Sequence, residues 1–187
     1  TYGAVGALSF GIGSTDASGV LLTGKLWLKV PYTMKIIVSN SFKPGVYPKD
    51  LMLNVIGILK ADGADYLCLE FSGSCIDEMS MGGRMTLCNM AIEVGAKGGI
   101  VPPDEKTLEW VRCRSSRSFT PQISDKDAYF IDVLHIDAAS LEPQVAFPHA
   151  VDDVHPVSEA TGISIQQVFV GTCTNGRLED LREAASI

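Results

Sequence analysis

Short apolar segments that are typical of strands alternate along this sequence with longer segments that have the periodicity of helices. Residues 34–38 are strand-like, and a helical pattern opened by Pro48 follows them, with apolar residues three or four positions apart. Residues 66–71 form the next strand-like segment, and residues 80–96 follow as a helix. Strands that alternate with helices form α/β folds, in which helices cover a mainly parallel sheet. The sequence therefore predicts an α/β fold.

Further elements are predicted on both sides of this region. Small residues interleaved with apolar ones at residues 1–29 favour a closely packed helical segment. The Pro-rich residues 142–156 predict an irregular linker, because proline removes a backbone donor and interrupts regular pairing. The remaining predicted elements are strands at 99–101, 128–136 and 165–170, a helix at 103–111 with Asp104 as its N-cap, and a final helix that begins at residues 176–177.

The charge and cysteine content argue against several classes of protein. The formal net charge of -7, with no dense run of Lys and Arg, is unfavourable for binding nucleic acid or anionic membranes, so we expect neither partner. No apolar stretch has the roughly 18 residues of a transmembrane helix. The five cysteines are an odd number without tight pairing. Reduced thiols, and therefore a cytoplasmic location, fit this pattern better than a disulfide framework.

Cys173 is the first candidate functional residue, because it lies between a strand-like and a helix-like segment. Thr174 or Asn175 could cap the following helix, which would place the thiol at a helix N-terminus. Such a position favours the thiolate, the form that acts as nucleophile or as ligand of a soft metal. The alternative is a small buried residue at a strand end. No CxxC pair lies nearby, so local spacing alone predicts no metal site.

Asn89 and Glu93 form a second candidate pair. They are four residues apart on a predicted helix, so their side chains share one face, which is otherwise poor in charge. The alternative for Glu93 is an ordinary solvated or capping carboxylate. His149 and His155 flank two aspartates in the Pro-rich segment, but their spacing matches no standard zinc pattern.

Three stretches of the sequence resemble motifs of the aconitase superfamily. VFVGTCTNGRLEDLREAA, residues 168–185, is similar to the family's cluster-cysteine motif. GGRMTLCNMAIEVGAKGGIVPPDEKT, residues 82–107, is similar to a second signature. Residues 1–31 look like the stretch that follows the family's Asp-Ser-His-Thr motif. The resemblance extends over almost the whole chain and is weakest at residues 113–127. Among family members, the large subunits of archaeal-type 3-isopropylmalate dehydratases are the most similar group, followed by homoaconitases.

This resemblance implies a fold, an activity and roles for particular residues. Family members have three-layer α/β/α domains. They are hydro-lyases that dehydrate and rehydrate a small di- or tricarboxylic acid. In the most similar group, this reaction interconverts 2- and 3-isopropylmalate in leucine biosynthesis. Three cysteines hold a [4Fe-4S] cluster whose open iron acts as a Lewis acid. Cys173 matches the first cluster ligand, and Asn89 and Glu93 match catalytic residues beside the cluster. Arg177 is expected to bind substrate or to offset the charge of substrate or cluster, with a surface ion pair as the alternative.

The resemblance also implies a domain layout and a partner. Residues 1–30 correspond to the end of a first α/β domain, residues 31–148 to a second, and residues 149–187 to the start of a third. The partner is a small subunit that carries a swivelling domain with the serine base and a substrate-binding arginine. Discrimination between substrates depends largely on that subunit, so the substrate is left open by this sequence.

Some family features are not found in this sequence. Cys68, Cys75, Cys88 and Cys113 do not occupy the positions of the other two cluster ligands. We therefore expect the chain to be an inactive fragment that supplies one of three ligands, with an apolar segment at 1–30 that promotes self-association. The alternatives are a non-catalytic folded piece in which Cys173 is a spectator thiol and, as a weaker option, a thiol enzyme that uses Cys173 as nucleophile.

Overall fold

A four-stranded parallel sheet lies at the centre of the fold. The computed structural model describes residues 1–186. The strands of this sheet are Thr33–Ser39 (β1), Cys68–Ser72 (β2), Gly98–Ile100 (β3) and Asp132–Asp137 (β4). They pair in the order β3-β2-β1-β4, and every ladder is parallel. Parallel neighbours require crossover connections, which here contain helices or long loops.

Within residues 1–186, six α-helices accompany the sheet, and none is long and apolar enough to cross a membrane. They are Ser14–Thr23 (α1), Pro48–Leu59 (α2), Ser74–Glu78 (α3), Met81–Met90 (α4), Glu105–Arg112 (α5) and Leu178–Ala185 (α6). The predicted helix at 103–111 is confirmed together with its N-cap, since the Asp104 side chain accepts a hydrogen bond from the Thr107 amide. The α/β fold expected from the sequence is therefore confirmed.

One face of the sheet packs beneath α2 and α4. Alternate β1 residues Met34, Ile36 and Val38 are buried, as the two-residue period of a strand requires. They belong to a single apolar core that includes Leu51, Met52, Val55 and Ile56 of α2, Leu69 and Phe71 of β2, and Leu87 of α4. This core fixes the position of α4 through Leu87.

The opposite face of the sheet carries a buried ion pair. Lys35 of β1 lies opposite Glu70 of β2 in the ladder, and their charged atoms are 3.3 Å apart. Glu70 also accepts a hydrogen bond from Ser124, and the Lys35 ammonium lies over the ring of Phe130. Residues from the irregular 113–131 segment therefore cover this part of the second face.

The predicted linker at residues 142–156 is wrong, because the segment forms a β-hairpin. Gln144–Ala146 (β5) and Val154–Pro156 (β6) pair as antiparallel strands. The hairpin packs closely on α2. A Cβ atom added to Gly57 of α2 would lie only 3.1 Å from the Val154 Cβ of the hairpin. Its start is fixed by the buried Asp50 carboxylate, which accepts a hydrogen bond from the Gln144 amide.

The predicted helical segment at residues 1–29 is only partly observed. A 3-10 turn at Tyr2–Val5 ends at Gly6, and α1 ends at Gly24, both with left-handed backbone. Leu21, Leu22, Trp27 and Val30 are between 82% and 87% exposed. An apolar surface of the kind predicted for this segment therefore exists, whereas self-association itself stays a prediction.

The predicted buried strand at residues 165–170 is wrong. This segment has no regular secondary structure and pairs with no strand in the part of the chain that the structure describes. Phe169 is 78% exposed, and Ile165 and Val168 are also exposed. An apolar segment is buried as a strand only when neighbouring strands pair with it and cover its faces.

An ion pair between the buried Arg84 and the partly exposed Asp104 joins α4 to the start of α5. Arg84 of α4 is 1% exposed and donates from Nη1 to Asp104 Oδ1 at 2.9 Å and from Nη2 to Asp104 Oδ2 at 2.5 Å. Nη1 also contacts Thr107 Oγ1, and Nη2 contacts the Asp77 carbonyl. The hydrogen bonds from Arg84 hold the pKa of Asp104 well below its ordinary value.

The substitution Asp104→Asn should destabilise the fold by about 3 kcal/mol, because it leaves the Arg84 guanidinium buried without an anionic partner. Asparagine remains a good N-cap, so the substitution removes the negative charge of the side chain without removing the helix cap. The matched control is Glu105→Gln, which removes an exposed ion pair with Arg112 and should cost about 0.5 kcal/mol or less. Urea unfolding measures both values. Equal destabilisation by the two variants would contradict the proposed importance of the Arg84 pair.

The hairpin contains a histidine between two carboxylates. His155 Nε2 lies 2.9 Å from Asp153 Oδ1, and its Nδ1 lies 2.9 Å from Glu159 Oε2. The ring also stacks on Phe147 at a centroid distance of 4.5 Å. A neutral imidazole has one N–H, so only the protonated ring can donate to both carboxylates. Hydrogen bonds to Asp153 and Glu159 raise the pKa of His155 above its ordinary value.

The pKa of His155, measured by NMR titration of its ring protons, should lie above about 6.5. It should fall in Asp153→Asn and in Glu159→Gln. Asp152→Asn is the control, because Asp152 accepts from the Ala61 amide instead and should affect the pKa less. Since the folded pKa is raised, the stabilisation is present below the unfolded pKa and is lost as pH rises through the folded value. An unshifted pKa in the unmodified chain would contradict the bridging geometry.

Candidate functional site

The three stretches that resemble the family motifs meet at Asn89. This residue lies on α4, and its Nδ2 donates to Thr174 Oγ1 at 2.8 Å. Thr1 Oγ1 lies 3.4 Å from Asn89 Oδ1. One side chain therefore links the start of the chain, the helix of the 80s and the segment that carries Cys173, although 85 residues separate Asn89 from Thr174.

Cys173 is exposed and lies in a tight turn at residues 172–175. Thr172 before it has a φ of 90°, a left-handed conformation that is unfavourable for a β-branched residue. Such strain persists only where surrounding contacts enforce it, and it is concentrated at functional sites. The turn thus presents the thiol to solvent rather than burying it at a strand end.

The prediction that Thr174 or Asn175 caps the following helix is wrong. The helix begins at Leu178, with Arg177 as its N-cap residue. Asp180 accepts a hydrogen bond from the Arg177 amide at 2.8 Å and a second from Asn175 Nδ2 at 3.0 Å. The capping acceptor is therefore Asp180, and Cys173 lies five residues before the first residue of α6 rather than at its N-cap.

Arg177 and Thr86 both contact the backbone of the residue that follows Cys173. Arg177 Nη1 donates to the Thr174 carbonyl at 2.7 Å and to Thr86 Oγ1 at 3.2 Å. Thr86 Oγ1 is itself 3.2 Å from the same carbonyl. The sequence analysis missed Thr86. The signal was available, because Thr86, Asn89 and Glu93 have the spacing i, i+3, i+7 of one helix face.

Glu93 lies at a cleft next to this turn. It is exposed on the 3-10 turn Ala91–Val94, directly after α4, rather than within the predicted continuous helix. It lines a cleft of about 450 Å³ together with Thr174 and Lys49, and the hairpin forms another wall through residues 144–146 and 151. The predicted pair therefore lies near one turn: Asn89 through a direct hydrogen bond and Glu93 through the shared cleft.

A larger pocket shares Lys49 with this cleft, but most of the charged residues in its lining are acidic. Its volume is about 570 Å³, and its lining includes Asp50, Glu179, Asp180 and Glu183. Tyr47 Oη donates to Glu183, and this hydrogen bond raises the pKa of Tyr47. An acidic lining repels carboxylic acids, so the cleft at Glu93 is the better candidate site for an anionic ligand.

Cys173 is exposed, whereas Cys68, Cys75 and Cys88 are buried. Burial raises the pKa of Cys68 and Cys75 to about 11 and that of Cys88 to about 12, so these three remain thiols at neutral pH. Cys113 is exposed but lies at the C-terminal end of α5. No group of three His, Cys, Asp or Glu side chains within residues 1–186 could hold a metal ion. The donor set fits one ligand of an iron–sulfur cluster and not a complete set.

The chain is similar to known proteins over most or all of its length. The model of the aconitase family (aconitate hydratase) matches residues 1–162. A probable 3-isopropylmalate dehydratase large subunit of Methanothermobacter thermautotrophicus is 54% identical over 187 residues, which are all of this chain and 45% of that protein. A probable methanogen homoaconitase large subunit of Methanosarcina mazei is 53% identical over the same length, 48% of that protein.

The similarity extends to bacteria. A 3-isopropylmalate dehydratase large subunit of Aquifex aeolicus is 50% identical over the whole chain and 43% of its own length. The chain thus spans a little under half the length of the curated relatives that it matches. The match covers the segments that converge at Asn89 and Thr174, and the chain belongs to the aconitase family.

Proposed function

We propose that this chain is part of the large, iron–sulfur subunit of a hydro-lyase that interconverts 2-isopropylmalate and 3-isopropylmalate by dehydration and rehydration. The observation that carries the proposal is the convergence at Thr174, where Asn89 contacts the residue next to an exposed cysteine. The 50–54% identity to large subunits with this activity in their names supports the choice of reaction.

Cys173 would supply one thiolate to a [4Fe-4S] cluster, and the other ligands would come from outside residues 1–186. When bound, such a cluster supplies a Lewis-acid iron for the substrate hydroxyl and a carboxylate. In this assignment, Asn89 orients the turn through Thr174. Exposure makes Cys173 more suitable than the buried cysteines.

Glu93 would serve as the proton-transferring group of this chain. Dehydration removes the substrate hydroxyl as water, so a carboxyl that donates a proton to this oxygen promotes its departure, and the reverse step recovers the proton. Glu93 lies at the mouth of a cleft large enough for a small dicarboxylic acid, and Lys49 in the same lining would attract a substrate carboxylate. A small subunit would supply the remaining base and cationic groups.

Homoaconitase activity is the second candidate. A relative with that name is 53% identical over the whole chain, so the identities do not separate the two substrates. The test is an anaerobic assay of the full-length protein, reconstituted with iron, sulfide and its small subunit, on 3-isopropylmalate, homoaconitate and citrate in parallel. Turnover of isopropylmalate above the others supports the proposal, and turnover of none of them overturns it.

The substitution Cys173→Ser should abolish stable cluster binding and reduce turnover to background, because serine is a poor ligand for the cluster. The visible absorbance of the reconstituted protein and its iron content measure the effect. Cys113→Ser is the matched control, since it removes the other exposed thiol and should leave both quantities unchanged. A fully loaded and active Cys173→Ser variant would remove the cluster assignment.

The substitution Glu93→Gln should lower kcat by roughly 100-fold or more while the cluster remains bound, because the amide has the size of the carboxyl but transfers no proton. Steady-state kinetics and cluster absorbance separate the two effects. Glu109→Gln on α5 is the control for a carboxylate outside the cleft and should retain kcat. Normal turnover in Glu93→Gln would contradict the assigned proton transfer.

A further inference from the structure

The Cys173 turn is held by side chains rather than by a strand ladder or a helix. Residues 165–171 before it pair with no described strand, and α6 begins only at Leu178. The strained φ of 90° at Thr172 lies at the centre of this stretch. Whatever fixes the thiol in place must therefore act on residues 172–177 through tertiary contacts.

Those contacts concentrate on Thr174. Arg177 Nη1 carries two protons, and its two acceptors, the Thr174 carbonyl and Thr86 Oγ1, can use both. The hydroxyl of Thr86 has one proton, which can go to the Thr174 carbonyl or to the Gly82 carbonyl, each at 3.2 Å. Thr86 is 2% exposed, so it cannot exchange these partners for water without cost.

Asp180 fixes Arg177 in this arrangement. Its carboxylate accepts from the Arg177 amide and from Asn175 Nδ2, and one oxygen lies 3.9 Å from Arg177 Nη1. The Asn175 side chain and the Arg177 backbone, on either side of Gly176, are therefore both tied to α6. The guanidinium points back towards α4, and its contact with the Thr174 carbonyl is a charge-assisted hydrogen bond, which is stronger than a neutral one.

We propose that Thr86 and Arg177 are positioning residues that clamp the Thr174 backbone and so hold Cys173 in the geometry of an iron ligand. The proposal rests on the proposed function for the role of the thiol. It assigns a positioning role to Thr86. It also assigns Arg177 a role that acts through the turn, which differs from the predicted contact of Arg177 with substrate. Lysine at position 177 would not suffice, because an ammonium cannot reproduce the planar donor pair.

Hydrogen exchange followed by mass spectrometry tests the clamp on the 187-residue chain. Thr86→Val keeps the shape of the side chain but removes the hydroxyl, and Arg177→Gln removes the charge. Both should speed amide exchange in peptides covering residues 172–176 by about tenfold. Peptides from β1 and α2 should keep their wild-type rates, because the loosening is local. Unchanged exchange at 172–176 in both variants would overturn the clamp.

Two control variants make the result specific. Thr86→Ser retains the hydroxyl and should restore slow exchange at 172–176. Arg182→Gln removes an exposed arginine of the same helix and should have no effect. Fast exchange in Thr86→Ser would show that packing of the methyl group, rather than the hydroxyl, holds the turn, and it would overturn the hydrogen-bond clamp.

The role in iron binding is tested on the full-length, cluster-loaded protein. The rate of cluster loss in air, followed by visible absorbance, should increase several-fold in Thr86→Val and Arg177→Gln, with KM for 3-isopropylmalate unchanged. A raised KM in Arg177→Gln at unchanged cluster lifetime would identify a substrate ligand and overturn the positioning role. If the wild-type protein binds no cluster, the proposed function fails, whereas the exchange experiment still decides whether the clamp exists.

Discussion

Helix α4 is the element on which the candidate site depends, because one side of it is fixed in the core and the other holds the Cys173 turn. Arg84 ties α4 to Asp104, and Leu87 packs in the apolar core. These contacts leave Thr86 and Asn89 directed at Thr174. The turn has no strand ladder of its own, and its contacts with the rigid helix α4 hold it in place. The proposed role of Cys173 as a metal ligand requires such a fixed geometry.

Local sequence signals predicted the elements whose structure is determined locally. The helix opened by Pro48 and the N-cap at Asp104 are examples, since capping and proline preferences act within one helical turn. The hairpin at 144–156 was missed because its prolines were taken to exclude pairing. In a two-stranded ribbon both strands are edge strands, so Pro156 can end β6 without leaving a central ladder incomplete.

The candidate site was predicted only in part, because only some of its contacts follow from local spacing. Asn89 contacts Thr174 and Glu93 lines a cleft that also contains Thr174, although α4 ends between the two residues. The contacts of Thr86 with Thr174 and with Arg177 join residues far apart in sequence, and no periodicity within one segment contains these contacts. The predicted burial of residues 165–170 was wrong. Their apolar pattern indicates that a strand could be buried there, but it does not identify the elements that would cover the strand.

Charge explains why the proposed reaction would require more than this chain. A dicarboxylic substrate brings two negative charges to a protein whose formal net charge is -7. Within residues 1–186, the lining of the Glu93 cleft offers one cation, Lys49, and Glu93 itself carries a negative charge when ionised. Arg177 already donates to the Thr174 carbonyl and Thr86. In the proposed enzyme, tight binding of such a substrate would therefore need positive charge or a Lewis-acid metal from outside the described residues.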